Sequence, residues 1–278
     1  MSGLGPAPVP FARRNAVQGV VWLRHAFAML WAHRVRWLLL LLTYYVLILS
    51  IDVIPYVGAF IAPILKPVFA VGFLAAAWSQ ERGEAPAIRH LFAGFRANLR
   101  ALLLLGLVFV VGMTVAVLAT GFIDGGKLVA AMSGRVEIDE ALLADGDVEA
   151  AMLFGALCAL PVLLALWFAP ALVVFQDCSA GRALATSLRA AIANSRAVAV
   201  YALLIFFFAG MLPTLFAKVI AAIVPLETAK TVVVIALLPY LALLVATLHI
   251  SDYVSYRDIF HPDEAAPPLA RTPDGATD

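Results

Sequence analysis

One lysine stands out chemically because it interrupts a long apolar segment. Lys66 lies ten residues after Tyr56 and twelve before Trp78, so in a continuous helix it is about 15 Å from either end of that segment. An ionisable side chain in the middle of a membrane span costs at least ~3 kcal/mol, and such residues usually face a water-filled cavity or a partner charge. This position predicts a pathway for a small solute or a proton that uses Lys66.

The segment around Lys66 also has a purely structural interpretation. Pro63 and Pro67 bracket the lysine, and proline removes a backbone donor and kinks or breaks helices. Residues 52–67 are therefore open to three arrangements, which are a full span, a re-entrant element or a segment at the outer surface. In the last two, Lys66 simply snorkels to the headgroups. We favour the structural interpretation, because no acidic partner for Lys66 is evident in any other span.

Two further ionisable residues, His249 and Asp252, lie near the end of the last apolar segment. Their spacing of three places them on one face of a helix, where they could relay a proton or help to hold a metal ion. Two ligands are too few for a metal site, and solvation at the membrane interface is the favoured interpretation. Cys158 and Cys178 are interpreted as packing thiols. The sequence therefore predicts no metal site and no cofactor.

The sequence lacks the common catalytic motifs. It contains no HExxH, no phosphate-binding glycine loop ending in Lys and Ser or Thr, no G-x-S-x-G and no CxxC. Its five histidines fall at predicted interfaces or in the carboxyl-terminal tail, away from the depth at which an intramembrane hydrolase needs a base. We therefore predict a non-enzymatic protein with no catalytic residues.

Composition places the chain in a membrane. Of its 278 residues 64% are hydrophobic and 13% are charged, against about 25% charged in ordinary globular chains. The net charge of +1 argues against a nucleic-acid partner, for which a basic face is expected. These values predict an integral membrane protein.

Six apolar runs are each long enough to cross a bilayer, which takes about 20 residues. They fall near residues 37–54, 56–78, 101–123, 151–175, 198–217 and 231–250. Their continuous apolarity is typical of helices, since barrel strands would alternate. The predicted fold is all-α, an integral membrane helical bundle with six transmembrane helices. The single membrane domain covers residues 15–255, and residues 1–14 and 256–278 are predicted to be disordered tails.

The distribution of positive charge predicts the orientation. Fourteen Lys and Arg residues fall in the tails and in the second and fourth connections, and only four fall in the opposite loops. Positive residues in short flanking segments are retained on the cytoplasmic side. Both termini are therefore predicted to be cytoplasmic.

A threefold internal pattern divides the chain. The stretch Arg24–Ala28 recurs as Arg89–Ala93, and Ala97–Arg100 recurs as Ala193–Arg196, in each case shortly before a span. Repeats of this kind often reflect repeated structural units. We therefore predict three transmembrane hairpins, each preceded by a cytoplasmic amphipathic interfacial helix.

Helical spacing puts apolar and basic residues of these units on opposite faces. In the second unit, positions 88, 91, 92, 95 and 99 share one α-helical face. Such a helix offers its arginines to anionic lipid phosphates, although positive-inside retention without lipid recognition predicts the same pattern. The arginines predicted to face lipid are Arg89, Arg96, Arg100, Arg182, Arg189 and Arg196.

Three stretches of the chain resemble a known family. They are Ile54–Gly58, His90–Arg96 and Trp167–Val173, followed by residues 183–187 and Asn194. Together they resemble an uncharacterised family of proteobacterial polytopic inner-membrane proteins, over roughly residues 15–255. The resemblance implies six spans and location in the bacterial inner membrane. It implies no activity and no catalytic residues.

Two functions from different classes follow from these observations. The first is a non-enzymatic inner-membrane protein whose arginine faces engage anionic lipid or a cytoplasmic protein partner. The alternative is a small-solute transporter or channel that uses Lys66 and the second helix, with its prolines.

Overall fold

Helices make up most of the structure. The computed structural model describes residues 9–55, 58–137, 139, 142 and 145–262, with residue 226 described by its backbone alone, and this part of the chain contains no strand. In order the helices are α1 (Gln18–Ala32), α2 (Arg34–Asp52), α3 (Gly58–Glu81), α4 (Leu99–Ala119), α5 (Gly121–Asp124), α6 (Lys127–Met132), α7 (Gly146–Trp167), α8 (Ala169–Phe175), α9 (Ala180–Ala193), α10 (Ser195–Ile205), α11 (Leu212–Ile223) and α12 (Leu226–Phe260). A 3₁₀ helix (Ile88–Arg96) precedes α4, and a π-helical turn (Phe206–Met211) joins α10 to α11.

Six helical segments of the described chain are long and apolar enough to cross a membrane. They are Arg34–Asp52, Gly58–Glu81, Leu99–Asp124, Gly146–Phe175, Ser195–Ile223 and Glu227–Phe260. Each overlaps one of the six predicted spans, which confirms the all-α class and the number of apolar helices. In the packing of consecutive spans, α2 contacts α3, α4 contacts α7, and α11 contacts α12.

The buried core lies toward one end of the bundle. In the apolar 18-residue stretch of α3, 56% of the residues are buried, whereas only 11% are buried in the corresponding stretch of each of the last two spans. The largest buried side chains include Trp22, Trp37, Phe73, Tyr253 and Tyr256, where α1, α3 and α12 meet. The apolar surface of the last two spans stays exposed in the isolated chain, as expected of helices that face lipid tails.

The α3 helix is continuous through Pro63 and Pro67, so the broken or re-entrant element considered for residues 52–67 is not formed between residues 58 and 67. A neighbouring helix supports this stretch, because α4 approaches so closely that a Cβ added to Gly106 would overlap the Ile64 carbonyl. Small residues permit such close helix packing in membranes, and neighbouring helices make proline tolerable there. Residues 53–55 form the turn between α2 and α3, and residues 56 and 57 lie outside the described chain.

Residues Ile88–Arg96 form a 3₁₀ helix and not the α-helix on which the predicted apolar face depends. The segment packs tightly along α3, since a Cβ on Gly94 would overlap the Val68 carbonyl and one on Gly72 would clash with the backbone of Leu91. The more tightly wound helix therefore lies against the protein, and Leu91 is fully buried.

Parts of both predicted tails pack against each other where the structure describes them. The α12 helix continues to Phe260, beyond the boundary at residue 255. The Ala12 amide donates to the Ile259 carbonyl at 2.7 Å, and the rings of Phe11 and Phe260 pack edge to face. These segments are ordered because each covers apolar surface of the other. Residues 1–8 and 263–278 lie outside the described chain.

Candidate functional site

The six arginines predicted to face lipid, hereafter the arginine surface, all lie just before or at the start of a span. Arg89 and Arg96 are on the 3₁₀ helix, Arg100 begins α4, Arg182 and Arg189 are on α9, and Arg196 begins α10. Five are exposed, and Arg182 is half-buried with its Nε donating to Cys178 Sγ at 3.3 Å.

No described carboxylate lies within 4.0 Å of any guanidinium in the arginine surface. Ion pairs in the described chain use other cations: Arg14 with Asp258, Lys127 with Asp145, Lys230 with Glu227, and Arg257 with Glu81. The charges of the arginine surface are therefore available to an external anion.

Two of these arginines line a cleft between α3 and the 3₁₀ helix. The cleft has a volume of about 390 Å³ and is lined by Arg89 and Arg96 together with Trp78, Ser79 and Phe92. The Phe92 side chain, which lines the cleft, is 42% exposed. The Glu84 carboxylate also lines the cleft, so two cations suited to a phosphate lie beside one acidic group and apolar walls suited to the start of an acyl chain.

His90, which also lines the cleft, adds no charge to it near neutral pH. Burial lowers the pKa of His90, and the positive charge of Arg89 lowers it further. The neutral ring accepts a hydrogen bond on Nδ1 from the Ala87 amide at 3.2 Å. Arg89 and Arg96 are therefore the cations of the cleft.

The α9 helix is packed into the bundle more deeply than an interfacial helix would be. Its buried face contains Ala183, Ser187 and Ala190, whereas Ile192 is 60% exposed. Ser187 Oγ accepts a hydrogen bond from the Phe168 amide at 3.0 Å and donates to the Leu164 carbonyl at 2.8 Å. The serine thereby satisfies the backbone where α7 ends and α8 begins, a role that the sequence pattern did not reveal.

Lys66 lines a cavity of about 260 Å³ in the apolar part of the bundle. Its ammonium lies over the ring of Phe109, 5.1 Å from the centroid. Phe109 is the middle residue of α4, ten residues from Leu99 and from Ala119, so the ammonium is about 15 Å from either end of that helix. The Lys66 side chain is exposed in the isolated chain.

The same cavity is lined by His249 and Asp252, which the sequence analysis did not connect with Lys66. The His249 ring stacks on Phe73 with centroids 3.9 Å apart, and Asp252 has a hydrogen-bonding partner in the Trp167 side chain. Both residues are half-buried between helices, not solvated at an edge as expected. An acidic residue therefore does share a cavity with Lys66, although no described carboxylate lies within 4.0 Å of its ammonium.

A polar network holds the ends of α3 and α12 to α1 and to the amino-terminal segment. Asp258 accepts hydrogen bonds from Trp22 Nε1 at 2.8 Å and from Gln18 Nε2 at 3.4 Å, and pairs with Arg14 at 3.0 Å. Glu81 pairs with Arg257 at 3.1 Å and accepts from the Tyr253 hydroxyl. Sequence reasoning missed this network, because its members are up to 244 residues apart.

Part of the network lines a cavity of about 470 Å³ that His261 also borders. His261 is buried, and its Nε2 lies 2.8 Å from Gln176 Nε2 and 3.0 Å from the Tyr256 hydroxyl. Because these polar groups hydrogen-bond to one another, the main role of the network is to stabilise the packing of α1, α3 and α12. Among the residues that the structure describes, no group of three or more His, Cys, Asp or Glu side chains could hold a metal ion.

Six apolar helices with ionisable residues between them define a multi-pass integral membrane protein. Over 268 residues the chain is 31% identical to a probable inner membrane protein of Burkholderia thailandensis, a match that covers 94% of this chain and 97% of that protein. The chain belongs to the family of this inner membrane protein. No family model and no solved structure matches the chain.

Proposed function

We propose that this inner-membrane protein is non-enzymatic and binds anionic lipid headgroups through its arginine surface. The observation that carries the proposal is the absence of a described carboxylate partner for any of the six guanidinium groups. Exposed guanidinium groups without an internal ion pair remain able to attract anionic lipid headgroups. No catalytic residue or cofactor is included in the proposal.

The proposed topology is three hairpins with both termini in the cytoplasm. In support, Asn194 accepts from the Arg14 amide at 2.6 Å and donates to the Ala12 carbonyl, so the amino-terminal segment and the start of α10 are at one end of the bundle. The pair of Glu81 with Arg257 brings the ends of α3 and α12 together. Positive residues concentrated around such an end favour the cytoplasmic side.

Electrostatics gives the expected strength of the interaction. A basic residue near an anionic membrane surface contributes about 1 kcal/mol, and the attraction falls off within a Debye length. Removing two arginines from the cleft should therefore weaken binding by about 2 kcal/mol, or roughly 30-fold. The effect should shrink as salt rises, because the guanidinium groups are exposed.

The experiment compares two double variants of the purified full chain. Arg89→Gln with Arg96→Gln removes the charges of the cleft, and Arg135→Gln with Lys218→Gln removes the same charge from two exposed positions outside the arginine surface. Binding of fluorescent phosphatidylglycerol is measured in phosphatidylcholine nanodiscs. We expect the cleft variant to bind more weakly and the control to match the unmodified chain.

Equal affinity of both variants would reject lipid binding by the cleft. A cytoplasmic protein would then be the remaining partner for the arginine surface. The non-enzymatic assignment is tested separately, since turnover of the bound phosphatidylglycerol, followed by mass spectrometry, would contradict it.

A second candidate function is the passage of a small solute. It is favoured by one observation, that Lys66, His249 and Asp252 line the same cavity. The test is water accessibility of Lys66→Cys in a background that lacks Cys158 and Cys178, labelled from each side of the membrane. Labelling from both sides would support a pathway, and an inert cysteine would reject it.

A further inference from the structure

The cavity at Lys66 is lined by three ionisable residues and by apolar walls. Lys66 is at one end, and His249 with Asp252 is at the other. Phe73, on which His249 stacks, follows Lys66 by seven residues in α3, a separation of about 10 Å along the helix. The wall between the ends consists of Ala70, Phe73, Leu163 and Leu166, among others.

Lys66 is exposed in the isolated chain, and no described carboxylate lies within 4.0 Å of its ammonium. Its ammonium faces the ring of Phe109, and a cation over an aromatic ring gains about 0.5–2 kcal/mol. That gain is smaller than the cost of at least ~3 kcal/mol for an ionisable residue at mid-membrane depth. Asp252 is held at the far end by Trp167, so it does not act as the direct counter-ion.

The shape and charge of the cavity limit what can supply the missing negative charge. The volume of about 260 Å³ is below the roughly 300–1,000 Å³ of pockets for drug-sized ligands, so the cavity suits a molecule of a few carbons. The single cation of the cavity fits a ligand with one negative charge. Apolar walls favour a short hydrocarbon portion over a fully hydrated inorganic ion.

We propose that the cavity is a binding site for a small organic monoanion, such as a short monocarboxylate, whose carboxylate pairs with Lys66 and whose hydrocarbon part packs between α3 and α7. The inference deepens the second candidate function and rests on water reaching Lys66. Binding is nevertheless measured apart from passage, so the two can fail independently. Lys66 is then the specificity-determining residue, because it pairs with the single negative charge of the ligand.

The four lysines of the chain make the test direct. Reductive methylation with ¹³C-formaldehyde keeps the positive charge and gives each accessible lysine its own NMR signal. Lys127 and Lys230 are ion-paired at the surface, and Lys218 is exposed, so these three are internal controls. The Lys66 signal is assigned by its loss in Lys66→Arg.

Sodium propionate is titrated into the full chain in nanodiscs, at an ionic strength held constant with sodium sulfate. We expect the Lys66 signal to shift saturably while the Lys218 signal stays in place. Absence of methylation at Lys66, with the other three lysines modified, would overturn the inference. A Lys66 signal that is present but moves no more than that of Lys218 would overturn the anion site and leave the water pathway intact.

A variant of the cavity wall tests where propionate binds. Ala70→Leu fills the wall between the ends, and we expect at least tenfold weaker binding. An unchanged affinity in Ala70→Leu would place the bound propionate elsewhere.

Discussion

Removal of the Asp258 carboxylate should loosen the end of the bundle at which α1 meets α12. The Asp258 carboxylate accepts a hydrogen bond from the indole N–H of Trp22 at 2.8 Å and forms an ion pair with the guanidinium of Arg14 at 3.0 Å. Trp22 is fully buried, and the Asp258 side chain is only 19% exposed. The perturbation is Asp258→Ala, compared with Asp258→Asn.

The magnitude follows from the partners that are left behind. A hydrogen bond to a charged group contributes about 1.5–3 kcal/mol, and a buried donor without a partner costs about 1–3 kcal/mol. Arg14 keeps its bonds to the Asp258 backbone carbonyl, so it adds little. We expect Asp258→Ala to lower the free energy of unfolding by about 3 kcal/mol. Asp258→Asn, which keeps an acceptor for Trp22, should cost about 1 kcal/mol.

The assay is thermal unfolding of the purified chain in detergent, followed by tryptophan fluorescence. At about 2–4 °C per kcal/mol, the melting temperature should fall by about 6–12 °C in the alanine variant. Glu137→Ala, in an exposed loop, is the charge-matched control. The reasoning is refuted if Asp258→Ala has the same melting temperature as this control. It is also refuted if the effects of Asp258→Ala and Trp22→Phe are additive in the double variant, since contacting residues should couple by about 0.5–3 kcal/mol.

Further outcomes follow from packing and from titration. Gly106→Ala should destabilise the chain, because the added methyl group would overlap the Ile64 carbonyl, whereas Gly181→Ala, which meets open space on α9, should be neutral or stabilising; a denaturant series compares the two. Burial and Arg89 lower the pKa of His90 in the folded chain. The neutral His90 ring should therefore contribute to the free energy of unfolding above about pH 6.5, and this contribution should be lost as the pH falls through the lowered pKa of the folded state. Melting temperatures between about pH 5 and pH 7 should vary less in His90→Gln, and an equal pH dependence in both proteins would contradict this account.

Local sequence properties were sufficient to predict the helices themselves. Hydropathy averaged over one segment decides whether that segment can cross a bilayer, and all six apolar helices lie where the sequence predicts them. The same locality explains why the arginine surface could be found, since its residues lie just before spans in the chain. The choice between an α-helix and a 3₁₀ helix at residues 88–96 depended instead on Gly72 and Gly94, which let two backbones meet.

The candidate site required the tertiary structure, because its members come from distant parts of the chain. Lys66 and Asp252 are predictable as unusual residues one at a time, but only the packing of α3 against α12 shows that they share a cavity. Trp22 and Asp258 are 236 residues apart, and neither carries a pattern that points to the other. The sequence by itself therefore determined an all-helical, six-span membrane protein and the position of its charges, which depend on short windows of residues. Packing between distant segments decided which of those charges are paired within the described chain and which of them share a cavity.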